Sequence, residues 1–166
     1  RAFTACDLRL RHRGLRSGGL VHRRYRLGPV AYRLASRILL AWSAPDIVRQ
    51  PLRKLANATH ESVGFAIADW EIGQAIYTDA VNSTQPVRYA MQAGLRGPLY
   101  ASAAGRVLLA YAEPEQLRAY LRRAKFKPLT PSTRTSEADI LAHLEEIRQI
   151  GYCASFGEML SDTAAI

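Results

Sequence analysis

Ten arginines and a single acid, Asp7, fall within residues 1–37, whereas residues 38–166 hold 13 basic and 13 acidic side chains. The net charge of +9 therefore belongs to the N-terminal end. A basic block beside a neutral domain points to a segment that meets a polyanion next to one that does not. A solvated basic tail is the plainer alternative, and composition leaves both open. The 166 residues suffice for about one domain with its own core plus a short appendage. No run of about 18 apolar residues exists, so no membrane span is expected. The basic start is followed by no apolar stretch of the kind a secretory signal needs. Cys6 and Cys153 form no metal-ligand spacing with His12, His22, His60 or His143. Two free thiols suit a reducing cytoplasm.

Residues 1–18 show no period and read as irregular. Over 19–28, Leu20 and Val21, then Tyr25 and Leu27, alternate as in a short hairpin, which Gly28-Pro29 ends. Apolar residues at 30, 31, 34, 35, 38, 39 and 42 predict an amphipathic helix with Arg33 and Arg37 on its other face. A second helix is expected over 46–58, with Ile47, Val48, Leu52, Leu55 and Ala56 on one side and Pro51 kinking it or delaying its start. Residues 62–68 and 74–81 flank the turn residues 69–73 and predict an antiparallel hairpin. Residues 87–91 are a shorter strand candidate and 94–98 a loop. Helices are expected over 101–111, opening on Ser102, and over 114–123, with Leu117, Tyr120 and Leu121 inward. A third runs over 136–150, capped by Ser136 and stopped by Gly151, with Ile140, Leu141, Leu144, Ile147 and Ile150 in phase. Residues 152–156 begin a strand. The order predicts an α+β fold, an antiparallel sheet flanked by helices behind a helical linker. The expected divisions are a basic segment over 1–28, a linker helix over 29–44 and the sheet domain over 45–166.

No residue set for catalysis stands out. There is no phosphate loop and no Gly-x-Ser-x-Gly elbow. His60-Glu61 begins like a zinc-protease pair, but Gly64 stands where the second histidine belongs, so His60 reads as a cap or loop residue. His143 falls on the polar face of the 136–150 helix and reads as solvated, and Glu145, Glu146 and Arg148 read as surface charges. Neither an enzyme, a cofactor nor a metal is expected. The 94–111 segment is more suggestive. Small residues at 101–105 let a backbone approach closely, and a helix opening near Ser102 would offer free N–H groups, a hydroxyl and a positive dipole end to a carboxylate. Tight helix–sheet packing asks for the same residues, and the spacing does not choose.

Five stretches taken together carry a resemblance. They are Thr59-His60-Glu61-Ser62-Val63; Pro86-Val87-Arg88; Gly94 through Ala110, with Gly97-Pro98-Leu99-Tyr100-Ala101-Ser102-Ala103-Ala104-Gly105-Arg106 at its centre; Gly151-Tyr152; and Ser155 with Gly157-Glu158. Their order and spacing resemble the effector domain of the IclR (isocitrate lyase regulator) family, and Tyr25-Arg26-Leu27-Gly28 resembles the strand leaving that family's winged helix-turn-helix. The resemblance implies a GAF-like domain behind a linker helix and a remnant of the winged domain. It also implies homodimers or homotetramers on palindromic double-stranded operators, and a small organic or aromatic acid as effector. Carried over by position, the effector-binding residues are Tyr89, Ser102, Ala103, Ala104, Ser155, Glu158 and Ala165. Arg23, Arg24 and Arg26 become wing contacts to DNA phosphates, with a solvated turn as their alternative. Tyr100 and Arg106 stand where His and Lys are common in the family, and Asp162 where glycine is usual. Residues 1–18 show no reading helix, and the family continues beyond the position of Ile166, so a C-terminally incomplete domain is expected. Hence the second reading is a stand-alone ligand-sensing module without a functional DNA-reading helix. An enzyme on a GAF-like core has no residue set to support it.

Overall fold

The structure, a computed structural model, describes residues 16–17, 26–27, 29–31, 33–34 and 46–166. It divides into two compact units, Arg1–Pro45 and Asp46–Ile166. In the first, β1 (Arg16–Ser17) pairs antiparallel with β2 (Arg26–Leu27), Arg16 opposite Leu27. This corrects the expected hairpin, because the partner of Leu27 lies inside the stretch read as irregular. Turn length sets hairpin register more firmly than apolar alternation does. Residues 29–31 and 33–34 are helical, at the start of the expected linker helix. The rest of that helix lies outside the described residues, as do Cys6, Leu20, Val21, Arg23, Arg24 and Tyr25.

The second unit opens with α1 (Asp46–Thr59), which carries Pro51 without ending there. Leu52 and Ala56 are buried, whereas Ile47 and Leu55 are exposed, so the packed stripe is narrower than the five residues in phase. His60 ends the helix in the left-handed region, its amide on the Ala56 carbonyl at 2.9 Å. β3 (Val63–Asp69) and β4 (Gln74–Val81) form the expected antiparallel hairpin. Asp69 closes its turn, Oδ1 accepting the amides of Glu71 and Ile72 at 3.0 and 3.2 Å. The register shifts once: Phe65 faces Asp79 and Ala66 faces Tyr77, which leaves Thr78 as the extra residue of a β-bulge.

The third strand is β5 (Arg96–Pro98), paired antiparallel with β4 through Gln74, Ala75 and Ile76. It replaces the strand expected over 87–91 and occupies the expected loop. Met91 makes its backbone bonds with a side chain instead: the Asn82 amide donates to its carbonyl at 2.9 Å and accepts its N–H at 2.7 Å. α2 (Ala103–Ala110) and α3 (Pro114–Leu121) follow, then α4 (Glu137–Ile150) between Ser136 and a left-handed Gly151. β6 (Ser155–Phe156) pairs with β7 (Ala164–Ala165), Ser155 opposite Ala165. Asp162 precedes β7 at φ 59°, a backbone that favours glycine and that aspartate tolerates better than most residues.

α2 packs against β3 and β4 and also against α4, so it lies between sheet and helix. The core joins Ala75 of the sheet, Leu99, Tyr100, Ala101, Ala103 and Leu109 around α2, Tyr120 of α3, and Ile140, Leu144 and Ile147 of α4. The second unit is thus α+β, an antiparallel sheet covered by helices.

Candidate functional site

The start of α2 is fixed by a tight turn. The Pro98 carbonyl accepts the amides of Ala101 and Ser102 at 3.2 and 3.1 Å and the Ser102 hydroxyl at 3.0 Å. Ser102 then caps the helix, its Oγ taking the Gly105 amide at 3.1 Å and its carbonyl the Arg106 amide at 2.9 Å. The amides of Ala103 and Ala104, the first two of the helix, have no acceptor among the described residues. Ala103 is nevertheless buried. Packing explains Gly105, since a Cβ there would stand 2.5 Å from the Leu99 carbonyl oxygen. Both readings of the small-residue stretch therefore have a part in it. Met159 lies over the same turn, because a Cβ on Gly97 would meet its sulfur at 2.8 Å and Ser102 Cβ at 3.3 Å.

One turn on, the Arg106 side chain is wholly buried. Nη2 donates to Glu158 Oε1 at 2.7 Å and to Ser155 Oγ at 3.0 Å, and Nη1 lies 3.0 Å from His143 Nδ1. Its Nε has no hydrogen-bond partner among the described residues. Arg134 adds a second cation, its Nε 3.7 Å from the same Glu158 oxygen. Thr133 donates to the Glu158 carbonyl at 2.6 Å and Thr130 to that of Gly157 at 2.6 Å, which fixes the loop carrying the carboxylate. The cluster has two guanidinium groups against one buried carboxylate. It borders a cavity of about 700 Å³ lined by Thr133, Arg134, Ser136, His143 and Glu158, among others.

His143 is the main correction to the sequence reading, because it is buried rather than solvated. A guanidinium has only donors, so Nδ1 must accept from Arg106 and the ring must be neutral with its proton on Nε2. Glu146 is 3.9 Å from Nε2. Burial, then the Arg106 and Arg134 charges, hold the imidazole pKa below its usual 6.5, against smaller opposing effects of Glu146 and Glu158. Between the folded and the ordinary value the unfolded chain binds a proton that the folded chain refuses. Stability is therefore fully present above about pH 6.5 and declines as pH falls below it, no more steeply than about 1.4 kcal/mol per pH unit. His143→Asn, which keeps an acceptor for Arg106 but does not titrate, should flatten the dependence. Urea titrations from pH 7.5 to 5.5 on both chains measure it, and identical slopes would remove His143 as its source.

The structure brings some of the expected site residues together. Ser155 and Glu158 share Arg106, Ala165 lies across the ladder from Ser155, and Ser102, Ala103 and Ala104 open the helix that carries Arg106. Tyr89 stands apart, partly exposed in the segment between β4 and β5, and interacts electrostatically with Tyr77. Arg26 lies in β2, in the other unit. His143 and Arg134 were not anticipated as members, and Arg106, expected only to reshape the rim, is instead wholly buried. His143 had a signal: it is three residues after Ile140 and four before Ile147, on the same helical face as the core. Cys153 is buried and free.

Residues 36–166 match the family described as bacterial transcriptional regulator IclR C-terminal. The chain belongs to the IclR family. The acetate operon repressor of Salmonella typhimurium is 32% identical over 126 residues, which is 76% of this chain and 46% of that protein. A solved structure from Silicibacter sp. TM1040, described as an IclR transcriptional regulator, aligns with TM-score 0.78 at 27% identity, covering 95% of this chain and 61% of that one. An IclR homolog from Microbacterium hydrocarbonoxydans, solved in complex with 4-hydroxybenzoate, has TM-score 0.69 at 20% identity, with 96% and 64% coverage, a likeness of fold. The IclR chain spans about half the length of the curated relatives it matches. Those relatives are transcription regulators, and the solved IclR structures carry the expected GAF-like α+β domain. No described helix is long and apolar enough to cross a membrane.

Proposed function

We propose that this chain is the sensing part of a DNA-binding transcription regulator and that its effector is a small organic or aromatic acid. The observation that carries the reading is the pair of amides at Ala103, which is buried, and Ala104, which is half-buried, at a helix start and without an acceptor among the described residues. Such amides, at the positive end of the helix dipole, suit a carboxylate. Arg106 and Arg134 both face Glu158, but Asp139 and Glu146 also line the adjoining cavity, so the preference for an anion rests on the amides. Ser155 Oγ accepts from Arg106, so its own proton is available to a ligand. Ser102 and Ala165 complete the site as its wall. The 4-hydroxybenzoate complex of the Microbacterium homolog supports the ligand class. Arg23, Arg24 and Arg26 serve DNA phosphates, the regulator acts as a homodimer or homotetramer on a palindromic operator in the cytoplasm, and it catalyses no reaction. Calorimetry with aliphatic and aromatic carboxylates, 4-hydroxybenzoate among them, should give saturable heat for at least one. Silence across the panel from a folded chain would count against the reading.

The excess of arginines over acids among the first 37 residues allows a second reading, a ligand-sensing module without sequence-specific DNA binding. Titration of operator and random duplex across salt separates the two: a regulator keeps a sequence preference, whereas a basic tail shows only the salt dependence.

A further inference from the structure

A second concavity, of about 370 Å³, lies away from the Arg106 cluster, between the β3–β4 turn, the end of α3 and the 123–129 segment. Tyr100 and Tyr120, both buried, contribute aromatic surface to its lining. Ile72, Pro98 and Leu129 add apolar surface, and Ile72 and Leu129 are about half exposed although large and aliphatic. Arg123, Lys125 and Lys127 also line it, against one acid, Glu71. None of these three cations has a carboxylate within ion-pair distance among the described residues.

The shape is held by bonds that do not involve a ligand. Tyr100 donates its hydroxyl proton to the Lys127 carbonyl at 2.7 Å, and the Lys127 amide bonds the Lys125 carbonyl at 3.0 Å, which pins the cationic segment. The Ala124 amide bonds the Tyr120 carbonyl at 2.9 Å. On the other side Gly73, at φ 67°, lies so close to the Tyr120 ring that a Cβ would come within 3.0 Å of it. The Asp69 carboxylate holds the remainder of that turn. A preformed cleft with aromatic and aliphatic lining and a few convergent charges has the make-up of a small-molecule site, and the volume is at the small end of that range.

We propose that this cleft is a second ligand site, separate from the one around Ala103 and Ser155, and that it takes a small carboxylate with a flat apolar body. The ring would lie against Tyr100, Tyr120, Ile72 and Leu129, and the carboxylate would face Arg123, Lys125 and Lys127. The positive surplus excludes cations, and neutral rings gain only the apolar part of the contact.

Amide-resolved NMR of the whole chain with benzoate, and with benzamide as its uncharged counterpart, tests this. Benzoate should shift the Ile72, Gly73, Lys125, Lys127 and Leu129 amides saturably below about 10 mM. Benzamide should bind at least about fivefold more weakly, and a Lys125→Gln/Lys127→Gln chain should lose at least about fivefold of the benzoate affinity. Both lysines are exposed, so that change leaves the fold in place. Ser155→Ala should leave these five amides as responsive as before, which separates this site from the effector reading. Shifts confined to Ala103, Ala104 and Ser155, equal responses to benzamide, or an unchanged double variant would each overturn the proposal.

Discussion

Arg106→Ala is expected to cost about 3–5 kcal/mol of stability, read as a lower urea midpoint at an unchanged slope. The magnitude follows from what remains behind. Glu158 would stay buried with only Arg134 nearby, 3.7 Å away and 42% exposed. Ser155 and His143 would each lose their bond to the guanidinium. Removing one partner of a buried ion pair leaves an uncompensated charge, which is worse than having neither. Arg106→Lys keeps the charge, but an ammonium on a linear stem cannot meet His143, Ser155 and Glu158 together. A loss of about 1–2 kcal/mol is expected for it. If alanine costs less than about 1 kcal/mol, water replaces the guanidinium and the buried pair does not hold the loop as described.

Leu144→Ala is the second large effect, a loss of about 3 kcal/mol within the range for buried leucine. Leu144 has no exposed surface and packs with Ile140 and Ile147 in the core shared with Leu109 of α2. The transfer free energy of the deleted methyl groups is lost and a cavity remains where helix meets helix. Leu141, on the same helix and 39% exposed, provides the control, and Leu141→Ala should cost less than about 1 kcal/mol. Thermal unfolding of the three chains checks both, with a drop on the order of 10 °C expected for Leu144→Ala. Similar effects at the two positions would mean that α4 is not seated as described.

Much of the fold was legible because its signals are local. Ser136 and Gly151 bracket α4 with cap chemistry, and the 3.6-residue period between them needs no knowledge of the rest of the chain. The β3–β4 hairpin declared itself through alternation around Asp69 and Gly73. β5 escaped because it is three residues long, contains Gly97 and Pro98, and is a strand only through β4. The apolar residues at 87–91 misled for the converse reason: Asn82 satisfies Met91 without a neighbouring strand, and Val87 is exposed. The cluster was hardest to foresee. The partners of Arg106 are 37, 49 and 52 residues along the chain, so no window of sequence contains them together. Ser155 and Glu158 were reached through family resemblance, whereas Arg106, which holds them, was noted only as a departure from the family pattern, and His143, which meets Arg106, was read as solvated.

The extra residue at Thr78 sets which way the far half of β4 faces. Alternation in a strand has a period of two, so leaving one residue out of the ladder shifts the phase of β4 by one and sets which face each side chain beyond it shares with β3. Asp79 lies just past that inversion, and its carboxylate reaches Arg49 of α1 at 2.9 Å. Were Thr78 paired with Phe65 instead of left out of the ladder, the turn-side pairs from Ala66–Tyr77 to Asp69–Gln74 would keep their places, while Asp79 would fall opposite Gly64 and on the other face of the sheet, away from Arg49. A single residue left unpaired thus decides which face the carboxylate that meets Arg49 occupies.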